Sequence, residues 1–117
     1  MEKKMLFPQT GALIHGGDYN PEQWLDRPDI LDADVRMMKK AGINCVTLGV
    51  FSWATYEPEE GNYHFEWMEK IIEKLYQNEI YTILATPSGA RPAWLDGKYL
   101  EAMRVDNRGV RDHHGKR

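Results

Sequence analysis

NCVTLGVFSWATYEPEEG, residues 44–61, is the stretch on which the fold turns. Cys45 to Val50 forms a short apolar run of strand character. It passes directly into an aromatic and acidic loop, Phe51-Ser52-Trp53 through Glu57-Pro58, and a helical pattern follows. Strand, functional loop and helix in that order build the rim of an α/β barrel, where working side chains sit just past the C-terminal ends of parallel strands. An aromatic ring beside carboxylates suits a sugar, which presents an apolar ring face and a belt of hydroxyls. The loop therefore points toward carbohydrate chemistry.

Outward from this stretch the pattern repeats. Two further strand candidates, Ala12–His15 and Tyr81–Ala85, flank Cys45–Val50. Between the first pair, Leu31, Val35 and Met38 recur at helical spacing, with Ile30, Met37 and Ala41 widening the stripe. The spacing predicts a helix over 28–41, with Asp26 or Asp29 placed to cap it and Gly42 to end it. Phe65, Met68, Ile71, Ile72 and Leu75 mark a second helix, which Asn78 would close. Short, nearly continuous apolar strands alternating with helices imply a parallel sheet. The spacing matches a (β/α)₈ barrel, which uses about 250 residues for eight units.

A chain of 117 residues then holds only the first three βα units. Such a sheet has two open edges and too few helices to cover it, so the chain reads as a fragment. The segment from Asp96 to Arg117 shows no clean periodicity, helix cap or terminal strand.

Composition sets the outer limits. Apolar residues at 42% and charged residues at 28% are ordinary for a folded domain. A net charge of −3 exerts no pull toward nucleic acid or anionic membranes. The lone Cys45 permits no internal disulfide and reads as a small core residue. The start, MEKKMLFPQT, is too short in apolar residues for a secretory leader, and no run approaches a membrane span. A cytoplasmic setting is the expectation.

All the unusual residues follow strands. The three loops are Gly16 to Trp24, Phe51 to Gly61 and Thr86 to Trp94, and all would open on one barrel face. Trp24, Trp53 and Trp94 either plug gaps in packing or line a binding mouth. Glu22 and Glu57 could be paired as the two carboxylates of a glycosidase. Each, however, sits beside proline in a turn-rich segment, where a carboxylate commonly binds backbone amides and fixes the loop. From Arg104 to Arg117, five Lys or Arg accompany two Asp and two His, which suits a solvated loop or an anchor for a polar ligand. No recognition helix accompanies them to make a nucleic-acid surface. His113 and His114 are adjacent and poorly placed to chelate one metal. No phosphate loop, dinucleotide fingerprint or zinc-protease motif is present.

GGDYNPEQW (Gly16–Trp24), the run from Met38 to Trp67, LATPSGARPAWL (Leu84–Leu95) and VDNRGVRDHHGKR (Val105–Arg117) together resemble the N-terminal part of family 42 glycoside hydrolases, retaining β-galactosidases. F-x-W-x-x-x-E-P-x-x-G-x-Y-x-F is shared with related families, whereas GGDYNPEQW and TPSGARPAW narrow the choice. The resemblance implies a catalytic (β/α)₈ barrel, with residues 1–117 as its incomplete N-terminal portion. It implies hydrolysis of terminal non-reducing β-D-galactose by the full-length enzyme without a cofactor, and a homotrimeric assembly. In such enzymes the acid/base glutamate follows an asparagine at the fourth strand, and the nucleophile is a glutamate on the seventh. Asn78-Glu79 falls between a helix and a strand, at the wrong pole, so no catalytic residue is expected within these 117. The arginine that ends the motif His114-Gly115-Lys116-Arg117 is the galactose contact that carries over, with Tyr19 and Trp53 as further candidate substrate contacts. No metal ligand is assigned, although some relatives bind zinc through cysteines just beyond this arginine. The rival expectation is a non-catalytic sugar-binding or structural remnant of a truncated gene.

Overall fold

The structure is a computed structural model that describes residues 11–112. Its elements run β1 (Asp18–Tyr19), a 3₁₀ turn (Pro21–Trp24), α1 (Pro28–Lys40), β2 (Cys45–Leu48), α2 (Trp53–Tyr56), α3 (Glu66–Gln77), β3 (Tyr81–Leu84), α4 (Ala93–Lys98) and a 3₁₀ turn (Leu100–Ala102). The three strands form one sheet in the order β1-β2-β3, parallel throughout. Cys45 pairs with Tyr81 and Leu48 with Leu84, while Asp18 pairs with Thr47.

Strand alternation divides the sheet into two faces. Val46 and Leu48 join Val35 of α1 and Met68, Ile71 and Leu75 of α3 in the buried core, with Tyr56 and Ile80 closing it. The register places Thr82 and Leu84 on this outer, helix-bearing face. Asp18, Thr47 and Ile83 share the opposite, inner face. Apolar residues cluster on one side of each long helix, so burying that side on the sheet removes most of their apolar surface from water.

Both long helices end alike. After α1, Gly42 takes φ +76°. Its N–H donates to the Lys39 carbonyl, and the Ile43 N–H donates to Met38. After α3, Asn78 is the capping residue as expected, but the left-handed position falls on Glu79, at φ +61°. Glu79 donates to Tyr76 and Ile80 to Leu75, which satisfies the last carbonyls in the same way.

Three expectations need correction. The first strand is not Ala12–His15, where every residue is exposed, but Asp18–Tyr19. The earlier segment does run beside β2, held by the Asn44 side chain and by backbone bonds from Asn44, Cys45 and Thr47 to His15 and Gly17. Asn44 accepts from the His15 N–H through Oδ1 (2.8 Å) and donates through Nδ2 to the Leu13 carbonyl (2.8 Å). A side chain standing in for backbone partners keeps regular pairing from starting until Asp18. Second, β2 stops at Leu48 because Gly49 leaves the extended region at φ +92°. Third, neither Asp26 nor Asp29 caps α1. Arg27 occupies the cap position, Pro28 opens the helix, and Asp29 is instead gripped by the Arg27 guanidinium at 2.8–2.9 Å. The segment after α4 is also better ordered than its sequence suggests. Asp106 accepts the N–H groups of Arg108 and Val110, turning a small hairpin bridged at Val105 and Arg111.

Candidate active site at the strand ends

The loops leaving β1, β2 and β3 all open at the C-terminal pole of the sheet, a consequence of parallel strands. The second loop is the best built. Its α2 starts from Ser52, whose carbonyl accepts the Thr55 and Tyr56 N–H groups, and this puts Trp53 and Glu57 one helical turn apart. Glu57 is buried. Its Oε2 accepts the Trp53 indole N–H at 2.8 Å, and its Oε1 accepts the Gly61 N–H at 2.9 Å. These donors, the Gly61 amide first and the Trp53 indole next, hold the Glu57 carboxyl below the usual carboxylate range. Its charge in turn pushes the Tyr63 phenol up. The loop-fixing reading of Glu57 therefore holds in detail.

The third loop is tied to the second. Trp94 of α4 donates its indole N–H to the Glu57 carbonyl at 2.9 Å. Its ring meets Trp53 edge to face, with centroids 6.3 Å apart and planes at 86°. Farther out, Glu60 accepts from the Tyr99 hydroxyl at 2.7 Å and pairs with Lys98. Gly89 supplies another close approach, since a Cβ there would lie 3.0 Å from the Phe51 ring.

The candidate residues fare differently. Trp53 lies at the strand-end pole, half-buried and engaged through its N–H with Glu57 and through its ring with Trp94. Tyr19 packs against the core on the helix side, and its hydroxyl donates to Asp34 of α1 at 2.8 Å. Burial, then that carboxylate, raises its phenol far above the ordinary value. Tyr19 thus anchors β1 to α1, while its neighbour Asp18 occupies the inner face. The Oε2 of Glu22 is buried without a hydrogen-bond partner among the described residues. Arg117, with His113, His114 and Lys116, lies outside the described residues. Approaching it, Asp112 is buried and takes the Arg104 guanidinium at 2.7 Å.

Sequence reasoning missed the partnership of Trp94 and Glu57, which are 37 positions apart. The shared feature was visible only as two tryptophans in two loops. An apolar hollow of about 620 Å³ runs from Trp53, Tyr63 and Ser88 down to Met68, Ile72 and Leu84. Its lower part lies on the helix-bearing face beside the open edge of β3. Such an apolar lining suits packing against a further hydrophobic element. Among the described residues no His, Cys, Asp and Glu cluster suits a metal ion, and no helix is long and apolar enough to cross a membrane.

Three parallel strands, helices packed on one face, and loops gathered at the C-terminal strand ends are the layout of part of an α/β barrel. The sequence profile of the family described as β-galactosidase, glycoside hydrolase family 42, matches residues 18–117. The chain belongs to that family. It is 53% identical over 112 residues to the β-galactosidase BglY of Alicyclobacillus acidocaldarius, and 56% identical over 105 residues to GalA of Bacillus licheniformis. These alignments cover 96% and 90% of this chain but only 16% of either relative. Among solved structures it resembles the β-galactosidase from Rahnella sp. R3, with TM-score 0.89 and 52% identity over 94% of this chain and 16% of that one. Gan42B, a β-galactosidase from G. stearothermophilus, gives TM-score 0.87 and 56% identity over 93% and 16%. The architecture is accordingly the first part of a (β/α)₈ barrel, and the chain spans about one-sixth of the length of the relatives it matches.

Proposed function

We propose that residues 1–117 are the N-terminal portion of the catalytic barrel of a cytoplasmic β-galactosidase that removes terminal non-reducing β-D-galactose with retention. In this reading the chain supplies walls of the substrate pocket, with Arg117 as a galactose contact and Trp53 as part of the wall. Tyr19 serves the pocket indirectly, as the strut between β1 and α1. The observation that carries the reading is the tie between the second and third strand-end loops through Trp53, Glu57 and Trp94.

Retaining hydrolysis uses one protonated carboxyl to donate to the leaving oxygen and a second carboxylate, about 5–5.5 Å away, to attack the sugar. Glu57 suits neither role. Its two oxygens already accept from Gly61 and Trp53, and the same donors keep it ionised near neutrality. Membership of family 42 assigns the catalytic pair, in this reading, to residues beyond Arg117. In Gan42B a catalytic mutant has a glutamate replaced by alanine, which agrees with carboxylate chemistry in that relative.

The test is to read the coding sequence past Arg117 and assay both products on a chromogenic β-galactoside. A continuation with Asn-Glu at a fourth strand should give turnover, and the 117-residue chain alone should give none above background. Turnover by the pure chain that vanishes in Glu57→Gln would overturn the assignment. An immediate stop after Arg117 would favour the non-catalytic remnant.

A further inference from the structure

Glu57 is unusual in holding three parts of the pole at once. Its carboxylate accepts from Trp53 at the start of α2 and from Gly61 at the far end of the following turn. Its backbone carbonyl accepts from Trp94, on the element after the next strand. The Trp53 and Trp94 rings then meet each other, which closes a ring of contacts: Glu57 to Trp53, Trp53 to Trp94, and Trp94 back to Glu57. Gly61, at φ +79°, lets the chain turn back so that its amide reaches the carboxylate. A buried carboxylate that takes one donor from each end of the same loop fixes that loop's shape, and with it the place of the backbone carbonyl that receives Trp94, because moving either donor strands a charge away from water.

We propose that Glu57 is the positioning residue that locks the second strand-end loop to the third, and so sets the orientation of the pocket wall built by Trp53 and Trp94. It acts through those two indoles and leaves the reaction's proton transfers to other groups. The inference rests on the proposed β-galactosidase function for its kinetic consequence, but the lock itself can be tested without turnover.

Glutamine is the diagnostic replacement. It keeps the shape of the side chain and the backbone carbonyl, but turns an N–H₂ toward a donor that previously met oxygen. In ¹⁵N-tryptophan-labelled chain, Trp53→Phe and Trp94→Phe assign the indole signals. Glu57→Gln should then raise the exchange rate of the Trp53 N–H and of the Trp94 N–H, although the Trp94 acceptor is chemically untouched. Unchanged exchange at Trp94 would overturn the lock, whatever the activity. In the polypeptide that continues past Arg117, Glu57→Gln should lower kcat/KM by about tenfold, mostly through KM. Both limbs of the pH–rate profile should remain. Trp53→Phe combined with Glu57→Gln should cost less than the sum of the single changes, because the bond between Trp53 and Glu57 is shared by both. Loss of a pH limb together with a collapse of kcat would make Glu57 catalytic and refute a positioning role. Unaltered KM and kcat would show that the lock does not shape the pocket. An inactive wild-type continuation would instead refute the proposed function and leave the exchange result to decide the lock.

Discussion

Replacing Gly16 by alanine should detach the first strand from the sheet. A Cβ at Gly16 would lie 1.5 Å from the carbonyl oxygen of Cys45, a backbone atom that no rotamer change can move. Restoring ordinary contact requires the two chains to part by roughly 2 Å, since non-bonded heavy atoms settle near 3.5 Å. Three backbone bonds span this gap: Asn44 N to His15 O at 3.0 Å, Cys45 N to His15 O at 3.3 Å and Thr47 N to Gly17 O at 3.0 Å. A 2 Å separation breaks them all, and the two Asn44 side-chain bonds go with them. At about 0.5–1.5 kcal/mol per bond, the loss of these five is on the order of 2.5–7.5 kcal/mol. Gly17→Ala is the matched control, because nothing lies within 4 Å of its Cβ position. It should change stability by no more than about 0.5 kcal/mol. Urea unfolding followed by tryptophan fluorescence at low protein concentration measures both. Equal midpoints for Gly16→Ala and Gly17→Ala would refute the close approach and the account of how β1 is held.

Three further outcomes are expected. Glu79→Gly should stabilise the chain by about 0.5–1 kcal/mol by relieving a left-handed non-glycine residue, partly offset by a more flexible unfolded state and by the loss of the exposed pair with Lys39; a lower urea midpoint would contradict this. The depressed Glu57 carboxyl means that the unfolded chain binds the proton more readily, so its contribution is present above the unfolded value near ~4.3 and lost as pH falls through the lower folded value. The stability difference between wild type and Glu57→Gln should therefore shrink on acidification below about pH 4, and a difference constant from pH 6 to pH 2 would rule this out. In the longer polypeptide, Arg117→Ala should lower kcat/KM by roughly ten- to a few hundred-fold, with lysine a poor rescue and Lys116→Ala nearly silent; equal losses at both positions would mean that the basic segment acts through net charge.

The alternation of short apolar strands with helical stripes was enough to define the parallel α/β architecture, because burial periodicity is a local property of sequence. The two helices and the second and third strands follow from it within a residue or two. So does the loop-fixing role of Glu57, since its donors Trp53 and Gly61 lie four positions to either side. The start of β1 was not legible. Ala12–His15 has strand composition, but pairing there depends on what the Asn44 side chain does 29 positions away from His15. Tyr19 looked like a loop aromatic until Asp34 on α1 proved to be its partner. The link from Trp94 to the Glu57 carbonyl lay equally out of reach, because a backbone acceptor carries no mark in the sequence. Local chemistry thus specified which segments become strands, helices and loops. Which side chains meet across them was decided only when β2 and β3 lay side by side, bringing the two loops within hydrogen-bond distance.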